Sequence, residues 1–314
     1  METVLRWGRS AYETEASLQR ERMAAQTLGL AWRHVPDPSP PPEIDRADIL
    51  VVTSGVRVDS DLLARFSGKL VVTTTSGHDH IDLHAAGARE IAVARLPMAR
   101  RDPVVEHALA AMTSLLRGLP LLDERARRGV WARSELPSLA PIGLAGETVA
   151  ILGLGVIGRR MAEVLRGLGA RVVGVDPAGV PPGVEETDLE DALARCVAVT
   201  AHCSMTSGSR DLLSADALAL LSPDAVVVNT ARGGILDVVS AVERVRANRL
   251  RGLAVDVFPV EPYPALARAV AVPNVLFTPH SAGYTRDLPA RLTEELEETL
   301  KAWLRGAPLA HRIV

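Results

Sequence analysis

A glycine-rich run in the middle of the chain constrains the fold more than any other feature. The run Ile151-Leu152-Gly153-Leu154-Gly155-Val156-Ile157-Gly158 follows an apolar, strand-like segment and opens a helical pattern. Gly153 permits a tight turn, Gly155 allows the backbone to approach a pyrophosphate, and Gly158 allows helix and strand to pack closely. The spacing therefore predicts the first unit of a doubly wound domain that binds a dinucleotide.

The next predicted strand indicates which dinucleotide is bound. Arg171–Val175 is followed by Asp176, eighteen residues after Gly158. A carboxylate in this place accepts hydrogen bonds from ribose hydroxyls and repels a 2′-phosphate. The sequence therefore predicts NAD in preference to NADP. The alternative, which the motif alone leaves open, is a glycine turn in another kind of α/β protein.

Short runs rich in Val and Ile alternate with helical patterns, which is typical of parallel sheets. In the first third the predicted strands are Val4–Trp7, Leu30–Val35, Ile49–Thr53, Leu70–Thr74 and Ile91–Ala94, and the predicted helices are Thr14–Leu28, Ser60–Phe66 and Asp82–Ala88. A second series predicts a six-stranded sheet with strands at Thr148–Leu152, Arg171–Val175, Val197–Ala201, Ala225–Asn229, Gly252–Val255 and Val275–Thr278. We expect Asp102 to cap a helix over Pro103–Arg117, and a last helix, Thr285–Arg305, to pack back on the first domain.

Composition excludes several classes of protein. The 314 residues carry 35 basic and 38 acidic side chains, a net charge of −3, which argues against nucleic-acid binding. No apolar stretch approaches the ~18 residues of a membrane helix, and the N-terminus lacks a signal-peptide pattern, so we expect a cytoplasmic protein. Two cysteines, Cys196 and Cys203, cannot build a disulfide framework. No His/Cys cluster has zinc spacing, and no metal site is predicted.

Three polar residues follow apolar strands of the second series, where open α/β sheets bind their ligands. They are Arg232 in Asn229-Thr230-Ala231-Arg232-Gly233, Glu261 in Asp256-Val257-Phe258-Pro259-Val260-Glu261, and His280 in Thr278-Pro279-His280-Ser281. Taken separately, each of the three is more simply interpreted as an ordinary loop residue than as a catalytic one. Together, after a dinucleotide motif, they indicate a catalytic site.

At this point the sequence resembles the D-isomer-specific 2-hydroxyacid dehydrogenase family over nearly its whole length. Besides the glycine run, the resemblance rests on Thr75–Asp82, Val105–His107, His202–Thr206, Asn229–Asp237, Asp256–Pro262 and Thr278–Gly283. It implies an α/β fold of two domains, a flavodoxin-like substrate domain (1–98, completed by 285–314) and a Rossmann-type NAD-binding domain (99–284). It also implies a homodimer.

By position, the resemblance implies that Arg232 binds the substrate carboxylate and carbonyl, that His280 is the acid/base, and that Glu261 pairs with it. Chemistry supports these roles. Reduction of a 2-oxo acid needs a proton on the carbonyl oxygen as hydride arrives, and histidine can donate one near neutral pH. An arginine fork can bind the carboxylate and polarise the neighbouring carbonyl.

Further contacts follow from the same resemblance. Cofactor contacts are expected from Gly153, Gly155, Val156, Ile157, Gly158, Asp176, His202, Thr206, Ala231 and Asp256, the last holding the nicotinamide carboxamide. The backbone around Ser76 and Gly77 is expected to bind the substrate carboxylate, and His78 to line the pocket. Val156 departs from the arginine that is common in the family's glycine loop.

The substrate remains open at this stage. A small 2-oxo or 2-hydroxy acid is expected, and Arg95, Arg100 and Arg101 form a cluster that either recognises a second anionic group or is a solvated hinge face. Thr53-Ser54-Gly55 replaces an arginine of the phosphoglycerate branch, which disfavours a phosphorylated substrate. Two alternatives are a phosphite dehydrogenase of the same fold and a non-enzymatic, NAD-sensing protein resembling corepressors.

Overall fold

The computed structural model describes residues 1–10, 12–264 and 272–314. They form two compact units. Unit 1 comprises Met1–Arg100 and Tyr284–Val314, and unit 2 comprises Arg101–Gly283. Each unit is built on a parallel sheet, which confirms the predicted α/β fold.

The sheet of unit 1 contains five parallel strands. They are β1 (Thr3–Trp7), β2 (Ala31–Val35), β3 (Ile49–Val52), β4 (Leu70–Thr73) and β5 (Ala92–Arg95), in the order β2-β1-β3-β4-β5. This is the flavodoxin-like order. The helices α1 (Glu15–Thr27), α2 (Ser60–Arg65) and α3 (Leu83–Ala88) each begin after a side chain that caps the helix N-terminus: Thr14, Asp59 and Asp82.

Within the described residues, the sheet of unit 2 contains seven parallel strands. They are β6 (Thr148–Leu152), β7 (Arg171–Val175), β8 (Glu185–Glu186), β9 (Ala198–Ala201), β10 (Val226–Asn229), β11 (Gly252–Val255) and β12 (Val275–Phe277), in the order β12-β11-β10-β9-β6-β7-β8. The reversal at β6 and β9 is the Rossmann switch point. The prediction of six strands was wrong, because β8 consists of two exposed glutamates and has no apolar pattern to reveal it.

The helix predicted over Pro103–Arg117 is longer than expected. Helix α4 spans Met98–Leu116 and contains Pro103 in its interior, so Asp102 is not its N-cap. The backbone N–H groups of Met98 and Ala99 instead donate to the Glu295 carboxylate at 2.9 Å each. A cap supplied from a distant part of the chain cannot be read from local sequence, whereas Pro103 is a strong local start signal.

The described residues contain further α-helices in both units. They are α5 (Leu119–Arg127), α6 (Leu136–Leu139), α7 (Val156–Gly167), α8 (Leu189–Arg195), α9 (Ala215–Ala219), α10 (Val238–Arg246) and α11 (Leu288–Leu304). Leu296 and Leu300 of α11 are buried against the unit 1 sheet, in a cluster that includes Val4 and Val72. Burial of each leucine contributes about 1.5–3 kcal/mol, so the C-terminal helix is an integral part of unit 1.

Candidate active site

Several predicted site residues of unit 2 lie at one edge of its sheet. Because all seven strands are parallel, the residues that follow β6, β7, β9, β10, β11 and β12 lie at the same, carboxyl edge. These are Gly153, Asp176, His202, Arg232, Asp256 and His280, all of which are sequence-predicted site residues.

His280 and Glu261 form a direct pair at this edge. The His280 Nδ1 atom lies 2.8 Å from Glu261 Oε2, and the two side chains are 51% and 38% exposed. The other carboxylate oxygen, Oε1, accepts the N–H of Phe258 at 2.9 Å. The carboxylate is therefore held by its own loop and fixes the orientation of the imidazole. A ring held in this way, and partly open to solvent, is suited to proton transfer.

Asp256 braces the backbone that carries His280. This residue is 2% exposed. Its Oδ1 atom accepts the Thr278 hydroxyl at 2.5 Å and the Ser281 N–H at 2.8 Å, and Oδ2 accepts the Ala282 N–H at 2.9 Å. His280 has φ +53° and donates its own N–H to the Asp256 carbonyl at 2.8 Å. Left-handed backbone at a non-glycine residue is strained, and here the surrounding hydrogen bonds hold it in place.

Asn229 holds the segment that carries Arg232. Asn229 is fully buried at the end of β10, where its Nδ2 donates to the Arg232 carbonyl at 2.9 Å and its Oδ1 accepts the Ala231 N–H at 3.1 Å. The Arg232 Nη1 group donates to the Ala231 carbonyl at 2.8 Å. A Cβ on Gly233 would lie 1.9 Å from the carbonyl carbon of Phe258, so glycine is needed for the two loops to pack.

The glycine motif has the geometry that its sequence predicts. Gly153 has φ +90°, and a Cβ there would lie 2.5 Å from the backbone of Cys203. A Cβ on Gly158 would lie 1.9 Å from the Gly153 carbonyl oxygen, whereas a Cβ on Gly155 would meet nothing within 4 Å. Two glycines are therefore needed for packing, and the third faces open space at the start of α7, whose N-terminus has no side-chain cap. These residues fit a bound pyrophosphate.

The predicted contacts of the adenosine half lie beside this motif. Asp176 Oδ2 accepts the Leu154 N–H at 2.5 Å and Oδ1 accepts the Ala178 N–H at 2.8 Å, which places the carboxylate against the glycine loop. His202 follows β9 and its Nε2 lies 3.0 Å from the Thr200 hydroxyl oxygen. Burial lowers the pKa of His202 to about 4, so the ring is neutral at physiological pH.

A pocket of about 290 Å³ opens at the same edge of unit 2. It is lined by residues of α4 and of the segments that follow β10, β11 and β12, including His107, Ser114, Thr230, Asp256 and Thr278. The Thr230 hydroxyl is buried, and no hydrogen-bond partner for it is found among the described residues. An unsatisfied buried hydroxyl is suited to a polar ligand group. Of the other predicted contacts, Val156 and Ile157 begin α7, Ala231 precedes Arg232, and Thr206 is exposed after β9.

Unit 1 contains the predicted substrate loop after β4. For the N–H groups of Thr75, Ser76 and Gly77 no acceptor is found within the part of the chain that the structure describes, and the same holds for the buried Ser76 hydroxyl. The Thr75 hydroxyl donates to the Gly77 carbonyl at 2.7 Å. Consecutive unpaired N–H groups form a concavity that favours an anion. His78 follows in the same loop.

The three arginines of the predicted cluster differ in their partners. Arg95 donates to the Ser76 carbonyl at 2.9 Å, and Arg100 donates to the Thr74 carbonyl. Arg101 belongs to unit 2 and pairs with Asp102 at 2.8 Å. The guanidinium groups of Arg95 and Arg100 thus contact the substrate loop itself, while Arg101 is neutralised elsewhere.

Sequence reasoning missed some residues that shape the site. Asn229 and Thr278 were seen only as parts of motifs, although the first holds the Arg232 segment and the second bridges Asp256 to His107, whose Nε2 lies 3.2 Å from the Thr278 hydroxyl. A signal was present in Asn229, because a buried amide at the end of an apolar strand requires partners. The partners of Arg95 and Arg100 had no sequence signal.

The described ranges contain neither a metal-binding cluster nor a membrane-spanning helix. Across residues 1–10, 12–264 and 272–314, no three His, Cys, Asp or Glu side chains are grouped so as to hold a metal ion. No helix in those ranges has the length and apolar character needed to cross a membrane.

Comparison with known proteins agrees with this geometry. Residues 109–282 match the family model described as D-isomer specific 2-hydroxyacid dehydrogenase, NAD binding domain. The chain belongs to this family. The resemblance predicted from the sequence is therefore confirmed, and so is the prediction of NAD, since the matched region is the family's NAD-binding domain.

The similar proteins are named for different activities. The chain is 32% identical over 269 residues to a D-3-phosphoglycerate dehydrogenase of Mycobacterium tuberculosis, with 84% of this chain covered. The aligned part of the chain spans only 50% of the length of that relative. Among solved structures it resembles an acyclic imino acid reductase in complex with NADPH and D-Arg (TM-score 0.84, 22% identity, 99% and 100% of the two chains). It also resembles a D-lactate dehydrogenase from Aquifex aeolicus complexed with NAD and lactic acid, with a TM-score of 0.82, 23% identity and 96% of each chain covered. These likenesses establish the fold.

Proposed function

We propose that this protein is an NAD-dependent oxidoreductase that interconverts a D-2-hydroxy acid and the corresponding 2-oxo acid. The observation that carries the proposal is the His280–Glu261 pair at 2.8 Å, placed at the carboxyl edge of an NAD-binding domain. A proton donor is required there, because hydride addition to a ketone leaves a negative charge on the oxygen.

His280 is assigned the proton transfer. Glu261 accepts from Nδ1 and stabilises the charged ring, so Nε2 is the atom that delivers a proton to the carbonyl oxygen in reduction and removes it in oxidation. The strained backbone at His280 and its bracing by Asp256 keep the imidazole in one place through both steps.

Arg232 is assigned to the acid group of the substrate. Its planar guanidinium can bind a carboxylate oxygen and the adjacent carbonyl oxygen together, which both orients the substrate and stabilises the developing alkoxide. In the Thr75–Gly77 loop of unit 1, the N–H groups and the Ser76 hydroxyl have no partner among the described residues, and we assign this loop to binding a carboxylate.

NAD supplies or accepts the hydride when bound. The open space at Gly155 and the uncapped start of α7 fit its pyrophosphate, and Asp176 fits its adenosine ribose. The unsatisfied Thr230 hydroxyl and Asp256 flank the pocket that suits the nicotinamide carboxamide. Arg101, paired with Asp102, has no part in this assignment.

The decisive experiment is consumption of NADH by the purified protein with a panel of oxidised substrates. The panel contains glyoxylate, pyruvate, hydroxypyruvate, a branched 2-oxo acid, oxaloacetate and 3-phosphohydroxypyruvate, with phosphite and NAD as a separate arm. The proposal predicts turnover of at least one 2-oxo acid and formation of the D-isomer. NADH binding without turnover of any of them would favour the sensing protein, and oxidation of phosphite alone would favour the phosphite dehydrogenase.

A further inference from the structure

The substrate loop of unit 1 is held from behind by two arginines. Arg95 ends β5, directly beside Thr73 of β4 in the sheet register, and donates its Nη1 to the Ser76 carbonyl at 2.9 Å. Arg100 lies in the first turn of α4 and donates its Nη1 to the Thr74 carbonyl. The two contacts therefore alternate along the loop, one on each side of Thr75.

The carbonyls of Thr74, Ser76 and Gly77 have donors, whereas no acceptor is found among the described residues for the N–H groups of Thr75, Ser76 and Gly77. A trans peptide points its C=O and its N–H in opposite directions. Fixing the Thr74 carbonyl thus directs the N–H of Thr75 away from Arg100, and fixing the Ser76 carbonyl directs the N–H of Gly77 away from Arg95. The Gly77 carbonyl is held separately by the Thr75 hydroxyl at 2.7 Å. The arginines thereby determine where the donors of the loop point.

Both arginines carry a positive charge that no ion pair neutralises among the described residues. Among the described residues neither Arg95 nor Arg100 has a carboxylate within ion-pair distance, whereas Arg101 is paired with Asp102 at 2.8 Å. Burial lowers the pKa of Arg100 to about 10, which still leaves the side chain charged at neutral pH. A charged donor polarises the peptide to which it bonds, so the N–H on the other side becomes a stronger donor.

We propose that Arg95 and Arg100 are positioning residues, which orient and polarise the Thr74–Thr75 and Ser76–Gly77 peptides so that the N–H groups of Thr75 and Gly77 bind the carboxylate of the substrate. They act through the backbone and do not contact a second anionic group of the substrate. The role deepens the proposed function and rests on it for the identity of the anion.

Binding of oxamate, an unreactive mono-anionic analogue of a 2-oxo acid, tests this role in the NADH-loaded protein. R95M and R100M remove the guanidinium with little change in length, R95K and R100K keep a charged donor, and R89M removes an exposed arginine that donates to the Phe66 carbonyl far from the loop. We expect the oxamate Kd to rise about tenfold or more in each Met variant, to recover to within about threefold in the Lys variants, and to stay unchanged in R89M. The Kd of NADH should change by less than about twofold in all of them.

Substrate kinetics separate positioning from recognition of a second anion. A positioning role predicts that R95M and R100M raise KM for pyruvate and oxaloacetate by the same factor, because both carry the same 2-oxo carboxylate. A rise confined to the dianionic oxaloacetate, with oxamate binding unchanged, would overturn the inference and leave the proposed function standing.

Hydrogen exchange provides a readout that needs no substrate. The Thr74 N–H, which donates to the Val52 carbonyl at 2.9 Å, should exchange at least about tenfold faster in R95M and R100M than in wild type, and at an unchanged rate in R89M. Identical exchange in wild type and both Met variants would overturn the positioning role. If R95M and R100M exchange faster than wild type but the wild-type protein neither binds oxamate nor reduces 2-oxo acids, the proposed function is wrong and the role of the arginines in the loop stands.

Discussion

The Nδ1 atom of His280 lies 2.8 Å from Oε2 of Glu261, and the other oxygen of that carboxylate accepts the N–H of Phe258. Glu261→Gln keeps the shape of the side chain and removes its charge. We expect kcat for reduction to fall by about 10–100-fold, because the amide stabilises a protonated imidazole less well. Stopped-flow or steady-state kinetics check this, with the Kd of NADH as control. An unchanged kcat would show that Glu261 is only a loop residue.

The glycine motif offers a matched pair of substitutions. Gly155→Ala places its methyl group in open space, whereas Gly158→Ala places it 1.9 Å from the Gly153 carbonyl oxygen. We expect G155A to keep the thermal midpoint of the cofactor-free protein and to weaken NADH binding about tenfold or more, while G158A lowers the midpoint itself. Differential scanning fluorimetry and NADH titration measure the two effects. Equal destabilisation by both substitutions would refute the assignment of the open space to the pyrophosphate.

Asp176 is the residue on which cofactor preference is expected to depend. Its carboxylate bonds to the Leu154 N–H at 2.5 Å and lies where a ribose 2′-oxygen is expected. Asp176→Asn keeps an acceptor for that N–H but removes the charge that repels a 2′-phosphate. We predict that the ratio of kcat/KM for NADPH to that for NADH rises by about tenfold or more. A ratio that does not move would place the selectivity elsewhere in the chain.

Stability should depend on pH through His202. Burial lowers the pKa of this imidazole to about 4, so the folded protein keeps it neutral, while the unfolded chain takes up a proton below about pH 6.5. Its contribution is therefore complete above pH 6.5 and is lost as the pH falls toward 4.

Urea unfolding at pH 7 and pH 5 measures this contribution. Between those two values the free energy of unfolding should fall by roughly 2 kcal/mol more in wild type than in His202→Gln. His84→Gln, which changes an exposed histidine, serves as the control. Identical losses in wild type and H202Q would contradict the prediction.

Much of the fold was predictable because local and global signals agree. Interior strands such as β3 and β6 are largely apolar runs, as is typical of parallel strands buried on both faces, and the glycine spacing fixes the first turn of unit 2. The two elements that were predicted wrongly lack such a local signal. Strand β8 is two exposed glutamates, and the start of α4 is capped by Glu295, almost two hundred residues away in sequence.

The residues of the candidate site also fall into a group that the sequence reveals and a group that it does not. Residues to which we assign the chemistry, such as Arg232, Glu261 and His280, stand out as polar groups after apolar strands. Residues that hold them in place do so through backbone atoms, as Asn229 and Asp256 do, and a sequence does not show which carbonyl or N–H a side chain will meet. Arg95 and Arg100 could be noticed as an unusual cluster, but their contact with the Thr74–Gly77 loop became visible only in three dimensions.

The most direct test of the account is His280→Gln, assayed with NADH and the best 2-oxo acid of the panel. Glutamine keeps a polar side chain of similar length but cannot deliver a proton. We predict that kcat falls by about 10²–10⁴-fold while the Kd of NADH changes by less than about twofold, because the role proposed for His280 is proton transfer and not dinucleotide binding. A variant that binds NADH normally and reduces the 2-oxo acid at the wild-type rate would contradict the central claim.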